Sequence, residues 1–346
     1  MVPQVLDMTK TLREKHNVAS PEGEFLVTNF EIEKSHHSGD GYSIVDYQFE
    51  VDKITDSEKL RYSGQFFNPK ESDPTTPPVV YTTPWLTELK GFNTLIGKQL
   101  AKNGLPAISL GPEHPQIGGS IRHLTRTILN KEKILERDAN SYNALLDYLN
   151  KEKIQDTSRI TLFGYSRGSM IGIALNSLSK FSQRQILYNE FIDLCLLDSV
   201  QTMHLSLGKV AINLVNELID GLIEVRKLPF EEQKHLLNTI PLDLSALIEQ
   251  TSTGIALFRG ETGLFLDKIP RDITGTVTFF NNSIFNQMDK WIQELNNFPN
   301  IHILNQKGYH LSGLNPQIIL EGIGRIILFQ KQYQNGIEPS EAIQKL

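Results

Sequence analysis

Apolar and polar positions alternate from Gly23 to about Pro69, in "GEFLVTNFEIEKSHHSGDGYSIVDYQFEV" and "LRYSGQFFNP", around turns of Gly, Asp and Ser. A period of two is the mark of a strand with one face on a core, so this region predicts antiparallel strands and hairpins at a sheet edge. Beyond the Pro-rich "ESDPTTPP" the pattern changes. "VVYTTPW" reads as a buried strand, "FNTLIGKQLAKNG" as an amphipathic helix stopping at Gly104, and "LPAISLG" as another strand. Strand, helix, strand in that order implies parallel pairing.

Helical spacing then runs from about Ser120 to Lys153, followed by a short strand through Ile160, Leu162 and Phe163 and an apolar helix beginning near Ser169. "FIDLCLLDS" predicts the next strand. From Met203 the strand–helix alternation gives way to helical periodicity alone, which predicts an inserted helical cap. The alternation returns with the strand "GTVTFFNN", the helix "MDKWIQELNN", the strand "NIHILN" and the closing helix "PQIILEGIGRIILFQKQY". The expected organisation is residues 1–78 as edge strands, 79–202 as the first part of the core, 203–270 as the cap and 271–346 as the second part of the core.

Composition narrows the function. The 346 residues are 39% hydrophobic and 21% charged, enough for one large domain with an insertion. A net charge of -6 offers no electrostatic reason to expect nucleic acid as a partner. Neither a secretory h-region nor an apolar stretch of membrane-spanning length is visible, so a cytoplasmic location is expected. Cys195 is the only cysteine, which rules out an intramolecular disulfide, and its setting in "IDLCLLD" reads as a core thiol.

The chemistry concentrates at "GYSRG". Ser166 falls between Gly164 and Gly168, directly after a strand and directly before a helix. Small residues are needed where a strand reverses into a helix, and the helix N-terminus then faces any negative charge developing at the serine. A nucleophile needs a base. Of the nine histidines, His310 in "HILNQKGYHLSG" follows the last strand, on the edge where the serine is expected. Glu113 and His114, after another parallel strand, are candidates for lining the substrate cleft. No His, Cys and carboxylate spacing suggests a metal site.

The ordered constellation resembles the α/β-hydrolase superfamily: "GYSRG" is similar to its nucleophile elbow, "GYHLSG" to its terminal histidine loop and the insertion to its cap. The resemblance spans Val79 to the closing helix. It implies a mostly parallel central sheet flanked by helices, Ser-His-acid chemistry, a small-molecule acyl substrate and no cofactor. The usual acid position, after the penultimate strand, carries Asn281, Asn282 and Ser283 instead. Some family members take the acid from the strand after the elbow unit; Asp198 matches that place, with Asp289 the alternative. Backbone N–H groups of Arg167 and Trp85 would form the oxyanion hole, since Pro84 has none.

The cap residues Val210, Leu214, Leu218 and Leu222 recur at helical spacing and favour an apolar acyl pocket, hence a carboxylic ester. Two other readings stand beside this one. A peptidase or amidase would use Glu113, His114 and Arg167 on a charged peptide end, and a non-catalytic binding protein would keep only the scaffold.

Overall fold

The computed structural model describes residues 25–37, 41–53, 58–71, 73, 75–82, 90–113, 117–129, 133–179, 184–195, 223, 226, 261–281, 283, 289–308 and 315–345. Nine strands form one sheet: β1 (Phe25–His37), β2 (Tyr42–Lys53), β3 (Glu58–Pro69), β4 (Val79–Thr82), β5 (Ala107–Glu113), β6 (Arg159–Tyr165), β7 (Gln185–Ile192), β8 (Gly275–Phe280) and β9 (Ile301–Gln306). Their order is β1-β2-β3-β5-β4-β6-β7-β8-β9. The first three strands pair antiparallel, as their alternation predicts, and β3 joins β5 antiparallel. From β5 through β4 to β9 every pairing is parallel.

Helices α1 (Lys90–Lys102), α2 (Ile117–Ile128), α3 (Ile134–Lys151), α4 (Arg167–Ser179), α5 (Glu261–Leu266), α6 (Asp289–Leu295), α7 (Pro316–Gln334) and α8 (Pro339–Ala342), with a 3-10 turn at Ile343–Lys345, complete the described elements. One face of the sheet buries Leu145 and Leu149 of α3, Ile171 and Leu175 of α4, and Phe265 of α5. The other buries Ile96 and Leu100 of α1 with Ile319, Ile323, Ile326 and Phe329 of α7. Each such side chain contributes about 1.5–3 kcal/mol when fully removed from water. A sheet covered on both faces explains why β4 and β8 are buried at every position, Thr276 and Thr278 included, and why "VVY" reads as a continuous apolar run.

Two expectations shift. The helical region after β5 is described as two helices, α2 ending at Ile128 and α3 beginning at Ile134. The strand expected over "FIDLCLLDS" runs instead from Gln185 to Ile192, six residues earlier. Its interior holds Asn189 and Glu190, both fully buried, which disguise it as a polar stretch. Each is satisfied by a partner: Asn189 Oδ1 accepts from Asn176 at 2.7 Å, and Glu190 takes a forked pair of bonds from Arg325 of α7, the shortest 2.7 Å.

The chain tail is docked: Ala342 and Ile343 are buried against the α1–α7 layer. Of the segment expected to form the cap, the part through residue 260 lies outside the described residues apart from 223 and 226. Residues Phe265, Leu266 and Ile269, at its end, pack into the core beside α4. A mostly parallel sheet, helices on both faces and this strand order make an α/β-hydrolase fold.

Candidate functional site

The carboxyl ends of the central strands converge at Ser166. Thr82 of β4 pairs in register with Gly164 of β6, Tyr165 with Ile192 of β7, and Ile192 with Thr278 of β8. The chain leaves each strand on this edge, where open α/β sheets collect ligands. Ser166 occupies the single residue between β6 and α4 and adopts φ 55°, one of three non-glycine residues with positive φ among the described residues. That left-handed conformation costs an L-residue about 1–2 kcal/mol and persists only where the surroundings hold it.

The surroundings here are specific. Ser166 N–H donates to the Ile192 carbonyl at 3.0 Å, and its own carbonyl accepts from Ser169 N–H at 2.9 Å. The Ser169 hydroxyl lies 2.8 Å from the Gly164 carbonyl and 3.0 Å from that of Ile192. A Cβ on Gly164 would sit 2.5 Å from the carbonyl carbon of Gly168, and one on Gly168 would sit 2.6 Å from the carbonyl oxygen of Thr82. Both glycines are therefore required by close backbone approach. Ser166 is 3% exposed, and its Oγ is 4.0 Å from Sγ of Cys195, a buried core thiol as its sequence setting predicts, lying beside the serine turn.

Arg167, the first residue of α4, turns its guanidinium inward. Its Nη2 pairs with Oδ2 of Asp138 on α3. Oδ1 of the same carboxylate accepts from Nε and Nη2 of Arg137, both at 3.2 Å, and from the Tyr62 hydroxyl of β3 at 3.2 Å. Ser141 Oγ lies 3.1 Å from that hydroxyl. All five side chains are buried. A positive side chain at a helix N-terminus opposes the macrodipole by about 0.3–1 kcal/mol, so the carboxylate offsets a local penalty. Burial raises the pKa of the adjacent Tyr142, Asp138 adds to that, and Arg167 opposes it, so its hydroxyl stays protonated and donates to the Gly111 carbonyl at 2.6 Å.

A second carboxylate sits at the strand end. Asp193 follows β7 with φ 51°, and its side chain is fully buried. Its N–H donates to the Thr278 carbonyl at 2.7 Å, while its carboxylate faces Phe280 N–H at 3.4 Å and the Ser283 hydroxyl at 3.5 Å. It thus reaches the turn after β8, where the sequence lacks an acid of its own.

Of the residues singled out from sequence, Ser166 and Arg167 are adjacent at this edge. Glu113 ends β5, its backbone paired with Tyr62, and Asp289 begins α6. Trp85, His114, Asp198 and His310 lie outside the described residues. The Arg167 guanidinium, which the peptidase reading aims at a charged peptide end, is paired with Asp138. Asp138 and Asp193 escape sequence reasoning; the available signal for Asp138 is "ERDANSYN", polar letters between Ile134–Leu135 and Ala144–Leu146 on one helix.

Among the described residues no group of three or more His, Cys, Asp and Glu is arranged to hold a metal ion, and no helix is long and apolar enough to cross a membrane. A cleft of about 330 Å³ lined by Arg184, Asp272 and Asn300 opens at the amino ends of β7 to β9, at the far edge from Ser166.

Comparison with protein-family models and with curated proteins finds no match. Solved structures do match. The chain is similar to the peroxisomal α/β-hydrolase Lpx1 of Saccharomyces cerevisiae, with TM-score 0.54 and 9% identity over 88% of this chain and 89% of that one. It is similar to DcsB in complex with its substrate analogue, with TM-score 0.52 and 12% identity over 88% and 99%. The enol-lactonase of Burkholderia xenovorans LB400 gives TM-score 0.50 and 10% identity over 78% and 96%. At these identities the likeness establishes the fold.

Proposed function

We propose that the chain is a serine hydrolase of acyl substrates, favouring a carboxylic ester, with Ser166 as nucleophile, His310 as general base and Asp198 as the acid that orients it. The observation that carries this reading is the backbone of Ser166: a buried L-residue held at φ 55° between a parallel strand and a helix, by two glycines that admit no Cβ. Strain maintained by so many contacts fits a hydroxyl presented for attack.

In the proposed reaction Ser166 Oγ attacks the acyl carbonyl while His310 takes its proton, and Arg167 and Trp85 N–H groups stabilise the oxyanion. His310 then protonates the leaving alcohol, and water releases the acid from the acyl-enzyme. Commitment of the Arg167 guanidinium to Asp138 favours an ester over a charged peptide end. Asp193 competes with Asp198 for the acid's role, because its buried carboxylate already spans from β7 to the Ser283 turn.

Intact-mass labelling with a fluorophosphonate tests the reading. One adduct is expected on the parent protein and none on Ser166→Ala or His310→Ala. No adduct on the parent, together with no hydrolysis of p-nitrophenyl esters from acetyl to decanoyl, overturns it in favour of a binding protein.

A further inference from the structure

We infer that Asp138 is a positioning residue for the proposed serine hydrolysis: it anchors the Arg167 side chain, and through it the backbone N–H next to the nucleophile. The inference rests on Ser166 being that nucleophile. Arg167 is the first residue of α4, so its N–H belongs to the helix-terminal groups that have no acceptor within their own helix. Stabilising an oxyanion takes a donor fixed in direction before charge develops, because a donor that must reorient spends part of the gain. Arg167 is attached at both ends. Its backbone follows the strained Ser166, and its guanidinium is bound to Asp138.

The anchor is itself immobilised from separate elements. Asp138 belongs to α3, and its other oxygen takes Arg137 from the same helix and Tyr62 from β3. Tyr62 packs edge-on against Tyr142, with ring centroids 5.3 Å apart, and Tyr142 is bonded to the backbone of β5 at Gly111. A path of buried contacts thus runs from β3, β5 and α3 to the residue after the nucleophile.

Stability does not account for this arrangement. Replacing buried ion pairs by apolar side chains of similar volume is often neutral or stabilising, and a positive side chain in the first turn of a helix works against the macrodipole. An apolar residue at 167 would serve packing better. What an ion pair with a planar guanidinium supplies instead is one defined orientation.

The test compares Asp138→Asn and Arg167→Met with Glu190→Gln, which breaks another carboxylate–arginine pair, between the fully buried Glu190 and the partly buried Arg325 of α7, away from the serine turn. Arg167→Met keeps the Arg137–Asp138 pair and fills the volume, so it tests the inference even if Asp138→Asn does not fold. For the folded proteins, p-nitrophenyl ester kinetics and the fluorophosphonate labelling rate are measured. The expected result is a fall of about tenfold to a hundredfold in kcat and labelling rate in both Asp138→Asn and Arg167→Met, with KM within about twofold of the parent. Arg167→Lys should recover part of the loss, and Glu190→Gln should keep the parent kcat.

If Arg167 acted through its charge, removing Asp138 would unmask that charge and raise kcat; this outcome overturns the positioning role. So does unchanged kcat in Arg167→Met, or an equal loss in Glu190→Gln. A parent protein that neither labels nor hydrolyses esters overturns the nucleophile reading first, and this inference with it.

Discussion

The hydroxyl of Ser169 lies 3.0 Å from the carbonyl of Ile192, tying the first turn of α4 to the end of β7. The same carbonyl accepts from Ser166 N–H, so one backbone oxygen holds both sides of the turn. Ser169→Ala removes a fully buried donor and leaves the Gly164 carbonyl short of a partner. The expected loss is about 1–2 kcal/mol of unfolding free energy by urea denaturation, accompanied by slower fluorophosphonate labelling. Unchanged labelling would mean that the remaining bonds suffice to hold Ser166.

Glycine replacements separate close approach from general flexibility. Gly168→Ala places a methyl group 2.6 Å from the Thr82 carbonyl oxygen, and Gly164→Ala drives one into the Gly168 backbone. Each should lower stability by about 1–3 kcal/mol or more and abolish labelling, because each methyl group meets backbone, and rotating the Thr82 hydroxyl away from residue 168 would leave the Thr82 carbonyl in place. Gly324 on α7 has nothing within 4 Å of its added Cβ. Gly324→Ala should raise stability by about 0.5–1 kcal/mol through helix propensity alone. Thermal unfolding of the three variants checks the contrast.

The turn around Ser166 is legible in sequence because its requirements are local: apolar strand, glycine, serine, glycine, apolar helix. The parallel core is legible for a similar reason, since strands buried on both faces write continuous apolar runs. β7 is not, because Asn189 and Glu190 lie inside it and, the neighbouring Tyr188 apart, their partners Asn176, Thr274 and Arg325 come from three distant segments. Asp138 is hidden likewise: α3 is buried nearly all round, so its polar letters point to no solvent face. Buried polar groups are satisfied across long sequence separations, and periodicity carries no record of that.

In the proposed reaction the acid partner of His310 has three candidates, Asp198, Asp193 and Asp289, and single Asn substitutions rank them. Asp198→Asn should reduce kcat by about a thousandfold to ten-thousandfold while leaving the unfolding midpoint near that of the parent. Asp193→Asn should act mainly on stability, because its carboxylate bridges β7 to the Phe280–Ser283 turn. Asp289→Asn, at the start of α6, should be close to neutral in ester turnover. A large kcat loss in Asp193→Asn with none in Asp198→Asn would move the acid to the strand end itself.

Glu190 gives stability a definite dependence on pH. Burial pushes its carboxyl above the ordinary range, and the bonds from Arg325 and Tyr188 offset that only in part. The folded state therefore holds this proton more tightly than the unfolded chain, whose glutamates titrate near about 4.3. Between the unfolded and the raised folded pKa the native state binds more protons, so its stability falls as pH rises through that interval and levels off above it. Asp147, raised by burial despite its bond to Arg184, adds a slope of the same sign. Subtracting the Glu190→Gln profile from that of the parent isolates the Glu190 contribution, since the variant keeps Asp147 and titrates nothing at 190. Urea unfolding from about pH 4 upward should show the parent losing stability relative to Glu190→Gln. A difference rising with pH would mean that Arg325 outweighs burial and that the carboxylate is the form the fold prefers.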